Sequence, residues 1–218
     1  MGIRIARMEL LDAIRSTKTC RSFRSDPIPE AVLLRAISAA RFAPTGGNRQ
    51  PVRFIVVRDP DAKRKLRDWY LGPWRAYRDN ARAGAVRIGG ATTLIDRADR
   101  FAERLHEVPA IVVVCAELSA LHASDVHLGR LSIVGGGSVY PAVQNFLLAC
   151  RGEGLGTALT TLLCLVEPQV KELLAIPDGF ATACHVAVGY PTHPFPAELK
   201  RRPVEEIAFG ERFGERLA

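Results

Sequence analysis

The sequence predicts one α+β or α/β domain, and three observations carry that expectation. Helical and strand-like periodicities are interleaved along the whole chain. Neither an internal repeat nor a linker-like stretch divides it. At 218 residues, 48% hydrophobic and 24% charged, it is long and apolar enough to bury one large core. That apolar fraction sets disorder aside, and the lack of any period sets collagen-like and coiled-coil architectures aside.

Residues 9–16 form a short amphipathic pattern. A break at 26–29 follows, with Pro29 placed where helices start. Leu33, Ala36, Ile37 and Ala40 then fall at i, i+3, i+4 and i+7, so the next helix hides one face and ends near Pro44. A loop of small and amide residues at 44–51 leads into a strand at 54–57, stopped by Asp59-Pro60. Residues 63–77 predict a helix with Trp69, Tyr70, Trp74 and Tyr77 on an aromatic face, and the glycine-rich stretch 84–93 is expected to be mobile. Residues 109–116 are almost continuously apolar, which predicts a central strand covered on both faces. The window 131–150 carries no formal charge. Its Gly135, Gly136, Gly137, Pro141, Gln144 and Asn145 make it too polar and broken for a membrane span, so it predicts a soluble helix buried most of the way round. Val139, Val143, Phe146, Leu147 and Cys150 line one face of that helix, and Tyr140, Gln144 and Leu148 line another. Strands at 154–161 and 184–188 flank a helix at 168–174, and the tail 203–218 is charged and amphipathic.

The five cysteines, Cys20, Cys115, Cys150, Cys164 and Cys184, are odd in number and form no CxxC pair; they read as small buried hydrophobes in a reducing compartment. With no secretory pattern visible in residues 1–7, a cytoplasmic location is expected. The net charge is +7, and residues 58–104 hold 12 Lys/Arg against 7 Asp/Glu. That surplus, interleaved with aromatics over 63–78, admits a nucleic-acid-binding alternative. Asp61, Asp68 and Asp79 interrupt any phosphate track there, so no nucleic-acid partner is expected.

The chain has no P-loop, HExxH or G-x-S-x-G pattern, and its five histidines have no metal-ligand spacing. Gly152-Glu153-Gly154-Leu155-Gly156 imitates a dinucleotide fingerprint but leads into a strand-like run instead of a helix. Two features remain. Lys18, Thr19 and Arg21 place two cations and a hydroxyl where they could clamp a phosphate. In the 44–51 loop, Gly46 and Gly47 permit close approach to a flat ligand, and Asn48 and Gln50 offer amides suited to a heterocycle edge.

In order, these motifs are Lys18-x-x-Arg21-x-Phe23, Asp26-Pro27-Ile28-Pro29 and Ala43-Pro44-Thr45-Gly46-Gly47-Asn48-x-Gln50-Pro51-x-x-Phe54. Further on come Pro109-Ala110-Ile111-Val112-Val113, Ser138-Val139-Tyr140-Pro141-Ala142-Val143-Gln144-Asn145 and Gly154-Leu155-Gly156-Thr157. Val188-Gly189-Tyr190-Pro191 and Arg201-Arg202-Pro203-Val204-Glu205-Glu206 close the series. Together they resemble the FMN-dependent nitroreductase family from about residue 9 to the C-terminus, except over 60–106.

The resemblance implies one α+β domain over residues 1–218, with a mixed sheet sandwiched by helices in an intertwined homodimer that holds FMN at its interface. It implies that Lys18, Thr19 and Arg21 hold the phosphate, ribityl chain or pyrimidine edge, with Arg201 and Arg202 closing on the phosphate. Pro44, Thr45, Gly46, Asn48 and Gln50 would contact the isoalloxazine, partly from the partner chain, and Thr160, Thr161 and Leu162 would face it near N5. NAD(P)H would serve as electron donor in a ping-pong cycle, with a nitroaromatic, quinone or similar small molecule as acceptor. No side-chain general base and no metal are implied. Relatives on the same fold dehalogenate or cleave flavin, which gives the alternative activities. Residues 60–106 would form a lid or variable segment. Thr17 and Thr19 stand where the family pattern has Arg and Ser, Thr45 replaces Ser, and Val52 replaces Trp.

Overall fold

A computed structural model describes residues 8–84 and 92–217. Among the described residues, six α-helices and four strands follow one another as α1 (Leu10–Ser16), α2 (Glu30–Ala40), β1 (Val52–Val57), α3 (Pro60–Arg82), α4 (Thr92–Glu103), β2 (Ala110–Glu117), α5 (Tyr140–Gly152), β3 (Gly156–Thr160), α6 (Glu167–Leu174) and β4 (Phe180–Gly189). Most of the glycine-rich stretch expected to be mobile, residues 85–91, lies outside the described residues.

The strands form one sheet in the order β1-β2-β4-β3. All three named pairings are antiparallel. A parallel bridge between Thr19 and Thr157 makes the sheet mixed. β2 is central and buried along nearly its whole length, as its apolar run requires. Side chains alternate across the sheet. Val112, Val114, Cys184, Val186 and Val188 face α2 and α5, where Leu33, Ala36, Val143 and Phe146 meet them. Ile111, Val113, Ala158 and Ala187 face the other way, toward Leu66, Tyr70 and Trp74 of α3, Ala98, Phe101 and Ala102 of α4, and Val170 of α6.

Local chemistry explains the boundaries. Asp59 caps α3 by accepting from the Ala62 amide at 2.7 Å, and Pro60 occupies the first turn, which needs no amide there. α3 therefore starts before and ends after the expected 63–77. Lys63 on its inner face is buried, donates to the Val108 carbonyl at 2.6 Å, and has its pKa lowered by that burial. The arginines of the basic segment are largely paired locally: Arg64 with Asp61, Arg67 with Asp68, and Arg78 with Asp79 and Asp99. Helix α5 departs from the expectation that it is buried most of the way round, because Tyr140 and Gln144 are exposed in the single chain. All five cysteines are free, and no helix among the described residues is long and apolar enough to cross a membrane.

Candidate functional site

The Gly-x-Gly of residues 154–156 has a structural use. Gly154, at φ 77°, turns the chain out of α5. A Cβ at Gly156 would lie 2.7 Å from Cys20 Sγ, so the bare backbone lets the N-terminal segment lie against β3. There Thr19 bridges Thr157, and the Cys20 amide donates to the Thr157 carbonyl at 2.8 Å. In an extended segment alternate residues share a side. Thr19 and Arg21 thus turn toward a cavity, while Cys20 is buried and its thiol pKa is pushed up by that burial.

The cavity measures about 280 Å³ and lies between this segment, the end of β3 and the helices α3 and α4. Thr19, Arg21, Ala158 and residues 159–162 form one side; Tyr70, Trp74, Tyr77, Ala98 and Phe101 form the other. Burial raises the pKa of the Tyr70 phenol, opposed by its hydrogen bond with Thr160 and by the charge of Arg21. Asp99 of α4 latches the aromatic wall. It accepts from Trp74 Nε1 at 2.7 Å and from Arg78 at 3.1 Å. Burial pushes its carboxyl up, but those hydrogen bonds and the arginine charges outweigh it and hold the pKa below the usual value.

The structure therefore brings Thr19, Arg21, Thr160, Thr161 and Leu162 around one space. Lys18 points instead to the C-terminal segment, donating to the Pro194 carbonyl at 3.1 Å. That segment runs beside the N-terminal one: Thr192 N donates to Ser22 O at 3.2 Å and Leu199 N to Arg15 O at 2.9 Å. Arg151 stacks over Phe195 at 3.9 Å and donates to Ser16 at 3.1 Å, tying α5 into the same junction. Arg201 and Arg202 follow immediately and are exposed, with Arg201 donating to the Lys200 carbonyl. The two ends of the described chain thus run side by side over residues 15–22 and 192–199, and neither Arg201 nor Arg202 lines the cavity.

The loop carrying Pro44, Thr45, Gly46, Asn48 and Gln50 is elsewhere. It enters β1, the opposite edge of the sheet from β3. Three strand spacings separate those edges, roughly 14 Å. None of these loop residues lines the β3-side cavity of the same chain. The loop contains a short 3₁₀ turn, Gly46–Asn48, and three left-handed residues: Gly47 (φ 59°), Asn48 (φ 52°) and Gln50 (φ 50°).

Chemically, hydroxyls and cations lie toward the junction of the chain ends, and aromatic walls with backbone groups lie at the end of β3. That donor set suits a phosphomonoester joined to a flat ring. Reading the sequence element by element misses the α4 wall, although Ala98, Phe101, Ala102 and Leu105 recur at helical spacing and are all buried.

The Nitroreductase family pattern matches the chain over residues 14–190. An NADH dehydrogenase of Thermus thermophilus is 28% identical over 208 residues, covering 93% of this chain and 97% of that protein. A 5,6-dimethylbenzimidazole synthase of Rhodospirillum rubrum is 30% identical over 199 residues, covering 88% and 87%. The solved structure of oxidized iodotyrosine deiodinase bound to FMN and 3-iodo-L-tyrosine matches with a TM-score of 0.69 and 26% identity, over 89% of this chain and 96% of that one.

Proposed function

The chain belongs to the nitroreductase family, and from that premise we propose that it is an FMN-dependent oxidoreductase. In this reading it takes electrons from NADH or NADPH and passes them to a small electron-poor acceptor, a nitroaromatic or a quinone. The observation that carries the reading is the convergence of Thr19, Arg21 and residues 160–162 on one cavity, with Lys18 next to them in the chain and bonded to the C-terminal segment.

Lys18, Thr19, Arg21, Arg201 and Arg202 hold the phosphate, ribityl chain and pyrimidine edge of FMN. Thr160, Thr161 and Leu162 border the ring. When bound, FMN supplies the hydride and electron transfer. The protein's part is position and charge: Arg21 stabilises negative charge at the pyrimidine edge, as a preorganised cation does. The aromatic wall of α3 and α4 keeps water out and shapes the acceptor space, which makes residues 60–106 the segment that sets acceptor choice. No side chain is assigned a general-base role.

The working unit is a homodimer in which Pro44, Thr45, Gly46, Asn48 and Gln50 of one copy cover the ring held by the other. Two observations support it. The loop and the cation cluster lie on opposite sheet edges. Large apolar side chains are also left bare in the single chain, including Leu10 (65% exposed), Phe42 (73%), Leu131 (87%) and Phe213 (94%). So much exposed apolar surface marks an interface. The free, mostly buried cysteines suit a cytoplasmic enzyme.

The purified protein should be yellow, or become so with added FMN, and bleach anaerobically on addition of NADH or NADPH. A colourless protein indifferent to FMN overturns the reading. A second reading is reductive dehalogenation at the same site, favoured by the aromatic-walled cavity and the likeness to a deiodinase bound to an iodinated phenol. Product analysis separates the two: amine or hydroxylamine from a nitroaromatic supports the first, and halide release from a halophenol the second.

A further inference from the structure

We infer that Ser138 is a positioning residue for the loop that covers the flavin: its hydroxyl holds the Gly46 amide and so fixes residues 44–50 against the start of α5. The inference rests on the functional reading above.

The loop needs an external anchor. It is mostly exposed, and of its three left-handed residues Gln50 carries a side chain that disfavours that conformation, whereas Gly47 and Asn48 tolerate it. Its internal bonds give it shape. Asn48 N donates to Thr45 O at 3.0 Å, Gln50 N to Thr45 Oγ1 at 3.1 Å, and Gln50 Nε2 to Asn48 Oδ1 at 3.2 Å. None of these locates it on the molecule. Arg53 donates to the Gln50 carbonyl at 2.8 Å, but it lies only three residues further along the same stretch of chain.

Among the described residues, the one hydrogen bond joining residues 44–50 to a distant element runs from Gly46 N to Ser138 Oγ, at 3.0 Å. The contact is direct, since a Cβ at Gly46 would lie 3.7 Å from that oxygen. The chain on either side of Ser138 is held in place. Just upstream, Asp125 accepts from Ser132 Oγ at 2.7 Å, the Ile133 amide at 2.8 Å and Arg130 at 2.8 Å, closing the turn that leads to α5. Just downstream, Val139 N donates to Gly136 O at 2.9 Å and the Tyr140 hydroxyl to the Ala183 carbonyl of β4 at 3.2 Å. A preorganised loop loses less freedom on binding than a loose one. The turn leading into α5 thereby sets where the ring-covering backbone sits.

The test compares the parent with Ser138→Ala, Ser138→Thr and Ser138→Val by fluorescence titration with FMN. Thermal melting and amide exchange of the flavin-free proteins run alongside. Loss of the hydroxyl in S138A and S138V should weaken FMN binding about tenfold and speed exchange of the peptide containing residues 46–48, roughly one hydrogen bond's worth. S138T, which keeps the hydroxyl, should bind within about twofold of the parent. The Thr/Val pair has one shape with and without the hydroxyl, so a packing defect affects both and an anchoring defect only S138V. Equal FMN affinity in the parent, S138A and S138V overturns the role of Ser138 alone, as does equal weakening in S138T and S138V. A parent that takes up no FMN overturns the functional reading, and this role with it.

Discussion

Replacing Lys18 and Arg21 together with alanine should weaken FMN binding at least about a hundredfold while leaving the fold intact. A charge-assisted hydrogen bond contributes about 1.5–3 kcal/mol, so two lost contacts to an anionic ligand remove roughly 3–6 kcal/mol if they act independently. Neither side chain supports the core. Arg21 is exposed at the cavity mouth, and Lys18 makes one hydrogen bond, to a surface carbonyl. The melting temperature should therefore move little. Binding to the parent should weaken with added salt, because part of the attraction is between charges that ions screen. An FMN titration of parent and variant at two salt concentrations checks this; equal affinities would remove these cations from the site.

The second large effect is on stability in acid. His185 on β4 is 1% exposed and cross-strand to Thr160 and Val113. Neither of its ring nitrogens has a hydrogen-bond partner among the described residues. Burial therefore disfavours the charged imidazole and lowers its pKa from 6.5 to about 4. Between those values the unfolded chain binds a proton that the folded chain does not, so stability rises with pH across that window and is fully present above it. Acidifying from neutral to about pH 4 should cost on the order of 3 kcal/mol through this one group. His185→Leu removes the titration and suits the apolar surroundings. Urea unfolding at pH 7 and pH 4.5 should show the variant losing less stability than the parent on acidification. Parallel losses would mean that His185 takes up its proton in the folded chain as readily as in the unfolded one.

What could be read from the sequence and what could not follows from the range of the interactions. β2 could be read because seven successive apolar residues, Ala110 to Ala116, have to be covered on both faces. The existence of α5 could be read because Val139, Val143, Phe146 and Cys150 recur at helical spacing, but the lack of charge overstated its burial, since Tyr140 and Gln144 stay exposed in the single chain. The motifs that carry the family resemblance also marked Thr19, Arg21 and residues 160–162, which the structure brings to one cavity; the loop near residue 47 lies apart from it in the single chain. Helix α4 could not be placed so readily. Asp96, Arg97, Asp99, Arg100 and Glu103 crowd the spacing of Ala98, Phe101 and Ala102, and the residues leading into it are glycine-rich. The spatial arrangement of the site was also hidden. Thr19 meets Thr157 only because Gly156 lacks a Cβ, and the loop is far from the cations only because the strand order is β1-β2-β4-β3. Both facts depend on contacts between residues remote in sequence, which local periodicity does not record.

The central claim is that one flavin is enclosed by the cations of one copy and the residue 44–50 loop of another. Mixed dimers test it directly. The Lys18→Ala, Arg21→Ala chain and a chain with Asn48→Ala and Gln50→Ala, differently tagged and co-purified, should form a heterodimer. Each parent homodimer of variants has two damaged sites, whereas the heterodimer has one site carrying every defect and one carrying none. The account predicts tight binding of one FMN per heterodimer, measured by visible absorbance against protein concentration. A heterodimer that binds as poorly as either variant homodimer would contradict it, because the cations and the loop would then have to serve the same site from the same chain.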